Sequence, residues 1–382
     1  MRLRIQHHTS INEVNPAHWD ALVGDNDPFI EHAFLAALET SNSVGARTGW
    51  LTRHVGVYRD DLLVGAAPLY EKHNSYGEYI FDWGWAHAAE RAGLPYYPKL
   101  VSAVPFTPVT GQRLLIGEGD EAARRDIRQR LIDGVREAAE NTEASSVHFL
   151  FTPETTKDDL AEGQFMPRSS YQFHWRNDDG QGSFDDFLAG MRSPARKQIR
   201  NERKRARTHG LELSMRRGSE MNDADWRALR RFYADTIRRK YAIPYLTEAF
   251  FESLRSHFAH RVVAAFAHRG DRPIAGALFF HKGNALYGRY WGADEELDAM
   301  HFELCYYLPI EWALAEGVTH IEAGAQGPHK LKRGFLPRPC HSAHWIAHPG
   351  LAAAVERFLQ QESAAVDREL QHLATSSPFR RV

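Results

Sequence analysis

Cysteine is nearly absent from this chain of 382 residues: Cys305 and Cys340 are its only two, and they form no CxxC pair. A disulfide framework and a thiolate metal knot are therefore both excluded. Cys305, inside the apolar run Leu304-Cys305-Tyr306-Tyr307-Leu308, reads as a packed small hydrophobe. Long apolar runs are also missing, since no stretch approaches the roughly 18 residues that a membrane-spanning helix needs. The start, from Met1 to Ser10, lacks the apolar centre of a signal peptide. These absences lead us to expect a cytoplasmic protein with no membrane span. An excess of one charge is lacking too: 47 basic residues face 49 acidic ones, a formal charge of −2, so any polyanion site must be local. No GxxxxGK phosphate loop, dinucleotide fingerprint or Ser-His-Asp signature occurs. The 21 histidines suggest no metal site either. The best trio, His341, His344 and His348, begins on an expected strand over 340–347, where side chains three apart point to opposite faces.

What is present is a balanced globular composition, 43% hydrophobic and 25% charged, at a length that suits two domains. An internal repeat supports that number. A hairpin pattern runs from His54 to Tyr70 through Arg59-Asp60-Asp61, and a similar one runs from Arg261 to Phe280 through Arg269-Gly270-Asp271. Each is followed by a helical stretch and a short apolar strand: Glu121 to Glu140 with Ser146 to Phe151, and Met300 to Glu316 with Val318 to Ala323. Each is preceded by an extended segment and an amphipathic helix: Leu3 to Gln6 with Pro16 to Val23, and Leu211 to Arg216 with Asp223 to Lys240. Duplication explains two such mixed α/β (α+β) units better than chance does. The boundary is expected in the polar stretch Asn177 to Ser183, giving domains 1–180 and 181–382. The second would hold a basic helix at 192–209 and a C-terminal packing helix at 349–374.

The order strand, helix, hairpin, strand, helix, strand is that of the GNAT acyltransferase fold, and two units in tandem resemble the Fem-type aminoacyl transferases. The blocks Ser75-Tyr76-Gly77-Glu78-Tyr79-Ile80-Phe81-Asp82-Trp83, Tyr96-Tyr97-Pro98-Lys99-Leu100, Tyr241-Ala242-Ile243-Pro244-Tyr245-Leu246, Gly288-Arg289-Tyr290-Trp291-Gly292 and Gly324-Ala325-Gln326-Gly327-Pro328-His329-Lys330 look like a Fem-like family of N-acyltransferases. The resemblance implies tandem GNAT-like domains, an activated acyl or aminoacyl donor, an amine acceptor and no tightly bound cofactor. An acyl-CoA donor would call for a glycine-rich loop at a helix N-terminus. The corresponding segment, Gly292-Ala293-Asp294-Glu295-Glu296-Leu297-Asp298, has one glycine and four carboxylates, which tilts the expectation toward aminoacyl-tRNA.

A tRNA needs concentrated positive charge. Arg196, Arg200, Arg203 and Arg207, with Lys204 beside them, fall at helical spacing as a basic stripe. The stripe reads either as a polyanion contact or as a solvated face. The strongest chemical constellation is the loop after the second repeat's last strand. Glu322 precedes it, and in it Gln326 stands among glycines, His329 suits proton transfer, and Lys330 with Arg333 suits an anionic substrate group. The other reading is a polar loop anchored by Glu322. Glu303, on an aromatic-rich helix, is either a base of raised pKa or a pairing carboxylate. Together Glu303, Glu322 and His329 are the catalytic candidates. Tyr241, Tyr245, Tyr290 and Trp291, and Asp82, Trp83 and Lys99 in the first half, line either a substrate cleft or a packing surface. The rival to an amide-forming transferase is a noncatalytic GNAT-like protein that recognises a cell-wall precursor or a nucleic acid.

Overall fold

A computed structural model describes residues 2–239, 244–325 and 327–380. The chain divides into two compact units, 1–171 with 339–369 and 172–338 with 370–382. The strands, in chain order, are β1 Leu3–His8, β2 Trp50–Thr52, β3 His54–Arg59, β4 Leu62–Ala67, β5 Tyr70–Lys72, β6 Lys99–Ser102, β7 Leu115–Ile116, β8 Ser146–Thr152, β9 Met166–Arg176, β10 Glu212–Arg217, β11 Val262–Arg269, β12 Arg272–Lys282, β13 Ala285–Ala293, β14 His320–Glu322 and β15 Leu336–Ile346.

In the first unit β1, β3, β4 and β7 form an antiparallel sheet. The β3–β4 hairpin turns on Asp60, which adopts a left-handed φ of 54° that aspartate tolerates better than most residues. The helix Glu121–Asn141 is capped by Asp120, whose carboxylate accepts the Ala123 N–H at 2.8 Å. It lays Ile127, Leu131, Ile132 and Val135 onto Val55, Val57 and Val64 of the hairpin. Burial of each such side chain contributes about 1.5–3 kcal/mol. β8 follows, parallel to β6 and antiparallel to residues 341–346 of β15.

The second unit repeats the pattern. β10, β11, β12 and β13 pair antiparallel in sequence order, and β14 lies parallel to β13. The helix Asp223–Arg239 buries Trp226, Leu229, Phe232 and Tyr233 on one face, against β12 and β13. Gly292 stands where that helix crosses β13: a Cβ there would lie 2.5 Å from the Phe232 carbonyl oxygen. β14 pairs on its other side with residues 174–176 of β9.

The two compact units depart from the expected halves: residues 172–180 lie in the second unit, and residues 339–369 lie in the first. The reason is packing. The helix Pro349–Thr375 sets Leu351, Val355 and Leu359 against Trp85, Ala89 and Tyr96, and its Glu362 receives Arg168 through two hydrogen bonds of 2.7 and 2.8 Å. Among the described residues no helix is long and apolar enough to cross a membrane.

Candidate functional site

In the second unit, the parallel ladder between β13 and β14 has three rungs, the last being Tyr287 with Glu322. β13 then runs on to Ala293 while β14 ends, which opens a wedge along one side of β13. A β-bulge falls at the same point: Leu278 of β12 faces Tyr290 and Phe279 faces Gly288, so Arg289 is the extra residue. Bulges of this kind re-aim the backbone and are frequent beside active sites.

The wedge is flanked by a helix of unusual build. Met300–Phe302 leads through a π-helical turn, Glu303–Tyr307, into Leu308–Glu316. Pro309 accounts for the widening, because it has no N–H to give to the Cys305 carbonyl and its ring crowds that oxygen. The turn rotates Tyr306 toward the loop after β14, where its hydroxyl lies 3.0 Å from His329 Nε2. His301 packs between Trp291 and Tyr306, with ring centroids 5.1 and 5.6 Å away, and lies 6.1 Å from His329. The result is an aromatic recess with an exposed imidazole at its rim. Partial burial of the ring, with Arg333 and Lys330 beside it, holds His329 below the usual histidine range and favours its neutral form. Gly327 fits its place on two counts: its φ is +108°, and a Cβ would lie 2.4 Å from the His329 ring.

The other residues expected in this loop are held from within. Lys330 is buried and donates to the Gly324 carbonyl at 2.6 Å, and burial lowers its pKa to about 8. Arg333 lies 3.4 Å above the Phe302 ring and donates to both oxygens of Glu202 at 2.9 Å. Glu202 also accepts the Tyr307 hydroxyl and the Gln198 amide. Glu303 is fully buried and accepts from Arg203 Nε and an Arg203 terminal nitrogen at 2.9–3.1 Å. Burial raises its pKa although Arg203 opposes the rise. Glu303 thus combines a raised pKa with an ion pair to Arg203. Tyr245 and Tyr290 meet through their hydroxyls at 3.1 Å, whereas Tyr241 and Gln326 lie outside the described residues. Glu322 is buried at the end of β14, with His320 Nε2 3.7 Å away.

The basic helix is Ser193–Arg207, and its stripe differs from the expected one. Its inward face is Ile199, Glu202, Arg203 and Ala206, so Arg203 serves the core, bridging Glu303 and Glu311. Lys197, Arg200, Lys204 and Arg207 form the solvent face, while Arg196 is half-buried. Lys197 and Lys204 border an open depression of about 780 Å³. Three of the four acids of the 292–298 segment are matched by arginines: Asp294 with Arg231 and Arg272, Glu295 with Arg269, and Asp298 with Arg205.

In the first unit Asp82 and Lys99 are inaccessible. The Lys99 ammonium donates to Ser75, Glu78 and Asp82, which uses all three of its protons, and Tyr96 donates to Asp82. Two carboxylates keep Lys99 charged despite burial, and Asp82 is held well below the carboxylate range, whereas burial pushes Glu78 up to about 7. Trp83 instead lies part-exposed near the surface, stacked with Phe81 and edge-on to Tyr76. Sequence reasoning passed over Tyr306 and His301 as site residues. Their signal was Pro309, which in a helical pattern marks a local distortion.

Two repeated units, the second with its fourth and fifth strands splayed apart, define a tandem GNAT-like fold. The chain belongs to the FemAB-like family of peptidoglycan biosynthesis/recognition, whose model matches residues 10–381. Among solved structures it is similar to FemX, with a TM-score of 0.54 and 13% identity over 93% of this chain and 100% of that one. It is also similar to the C-terminal domain of a putative lysylphosphatidylglycerol synthetase from Agrobacterium fabrum, with a TM-score of 0.54 and 10% identity over 92% of this chain and 97% of that one. A third likeness is to L-PGS from Bacillus licheniformis, with a TM-score of 0.50 and 11% identity over 88% of this chain and 98% of that one. At these identities the likenesses establish the fold. A comparison with curated proteins returns no match.

Proposed function

We propose that the chain forms an amide by moving an aminoacyl group from tRNA to an amine acceptor at the open side of β13, the family description pointing to a peptidoglycan-type peptide amine. The observation that carries this reading is the coincidence of the Arg289 bulge with the end of the β13–β14 ladder, beside the Tyr306–His329 recess. An extended donor laid along the free side of β13 would bring its ester carbonyl to that recess. The acceptor amine attacks the carbonyl carbon, the new C–N bond forms, and the ester C–O bond breaks to release the tRNA 3′ hydroxyl. Neutral His329 takes the proton lost by the amine and returns it to the departing oxygen. Support for tRNA over acyl-CoA comes from the exposed Lys197, Arg200, Lys204 and Arg207, and from the acidic 292–298 segment, whose glycine is already used for helix packing.

The test is to incubate the full chain with charged tRNAs or acyl-CoAs, each with amine acceptors, and to follow release of uncharged tRNA or free CoA. Acceptor-dependent deacylation that RNase abolishes is the expected result. Consumption of acyl-CoA alone would replace the donor, and no consumption of either would end the transferase reading.

A further inference from the structure

The second unit carries a further cluster, at the junction of β9 and β14, that the transfer chemistry does not use. His320 and Glu322 are two apart on β14 and so project from the same face of the strand. Glu322 stands directly opposite His174 on β9, which brings the second imidazole to that face. One ligand atom from each of the three residues lies within 4.8 Å of the other two. His174 Nδ1 and His320 Nε2 are 3.2 Å apart, and His320 Nε2 lies 3.7 Å from a Glu322 oxygen. Donors bound at about 2.0–2.2 Å around one zinc ion stand roughly 2.8–3.6 Å from each other, so the two imidazoles already stand at that spacing and the Glu322 carboxylate would draw in toward them on binding.

We propose that His174, His320 and Glu322 form a binding site for a divalent transition metal of the zinc class. Two imidazoles and one carboxylate are a borderline nitrogen and oxygen set, which selects such ions over calcium or magnesium. Three protein ligands leave a fourth position for water, and His320, with 21% of its side chain exposed, marks the solvent side. Arg176, Arg338 and Lys330 also face His174. Asp178 offsets the two arginines through bonds of 2.9 and 3.1 Å, and Lys330 is turned to the Gly324 carbonyl, so Glu322 supplies the local negative charge. Bound metal would clip β14 to β9 at the root of the loop that carries His329. The bland rival is a neutral imidazole pair sharing one N–H···N hydrogen bond, which takes up no metal.

The experiment uses the full chain, freed of any affinity tag and stripped with chelator. Zinc content after dialysis is measured by atomic emission, and Co²⁺ is titrated while its visible ligand-field absorption is followed. One metal per chain and an intense Co²⁺ spectrum, displaced by zinc, are expected. His320→Gln and Glu322→Gln should each weaken binding by about tenfold or more, whereas His87→Gln, at a ring 68% exposed elsewhere, should leave it unchanged. Wild-type protein that shows no Co²⁺ bands and no retained zinc overturns the proposal. So does uptake that the folded His320→Gln variant retains in full. The wild-type spectrum decides the matter even if a variant fails to fold.

Discussion

Replacing Arg203 by methionine would keep most of the side chain's length and remove its charge, leaving the Glu303 carboxylate unpaired in a fully buried position. Three contacts of 2.9–3.1 Å would be lost at once. Stranding a buried charge in this way costs about 3–5 kcal/mol. Glu311, the second partner, is 46% exposed on its side chain and returns to water at little cost. The double variant Arg203→Met/Glu303→Leu removes both charges and should recover most of the loss, because a buried pair replaced by apolar groups is often close to neutral. The pH dependence has a definite sign. Glu303 is already raised in the folded state, so the fold binds its proton more tightly than the unfolded chain does, and stability from this group falls as pH rises through that window. Without Arg203 the window widens upward. The Arg203→Met deficit should therefore be largest near pH 8 and shrink toward pH 5. Urea unfolding of wild type, both single variants and the double variant, at both pH values, measures it as a cycle. A single-variant loss below about 1 kcal/mol that is the same at both pH values would refute the argument.

Three further outcomes follow from the same geometry. His329→Gln should lower kcat of acyl transfer by about 10²–10⁴ with stability unchanged, and wild-type activity should rise with pH on the acid side of the ordinary histidine range and then level off, as a base that must be deprotonated requires. Gly327→Ala should place a methyl against the His329 ring at a strained φ, lowering activity while unfolding measurements change by about 1–3 kcal/mol. Charge reversal at Lys197, Arg200, Lys204 and Arg207 should weaken tRNA binding and flatten its salt dependence, by about 0.7–0.9 in log–log slope for each phosphate contact removed, as read by filter binding across a salt series.

The duplicated architecture was legible because both hairpins, both central helices and both following strands announce themselves by local pattern. Asp60 and Gly270 even occupy the same turn position. The individual side-chain partners were not. Arg203 sits at stripe spacing with Arg196, Arg200 and Arg207, yet Glu303, 100 positions away, draws it inward, and no helical period reports such a partner. His174 and His320 come from strands separated by most of a unit, whereas attention to histidine spacing along one segment picks out His341, His344 and His348. Of those, His344 is buried and instead lies 2.7 Å from His148. Lys99, among aromatics, read as lining either a substrate cleft or a packing surface, and three acceptors supplied by Ser75, Glu78 and Asp82, distant in sequence, account for its burial.

The chain leaves the first unit after residue 171 and returns to it only at residue 339. During synthesis the amino-terminal half must therefore wait, with β8 missing its neighbour 341–346, until some 200 more residues have emerged, on the order of 10–40 s at ordinary elongation rates. A gene cut at 180 would yield a fragment with a permanently open strand edge, a template for aggregation. Co-expression of residues 1–180 with 181–382 is the form in which such a split protein would assemble.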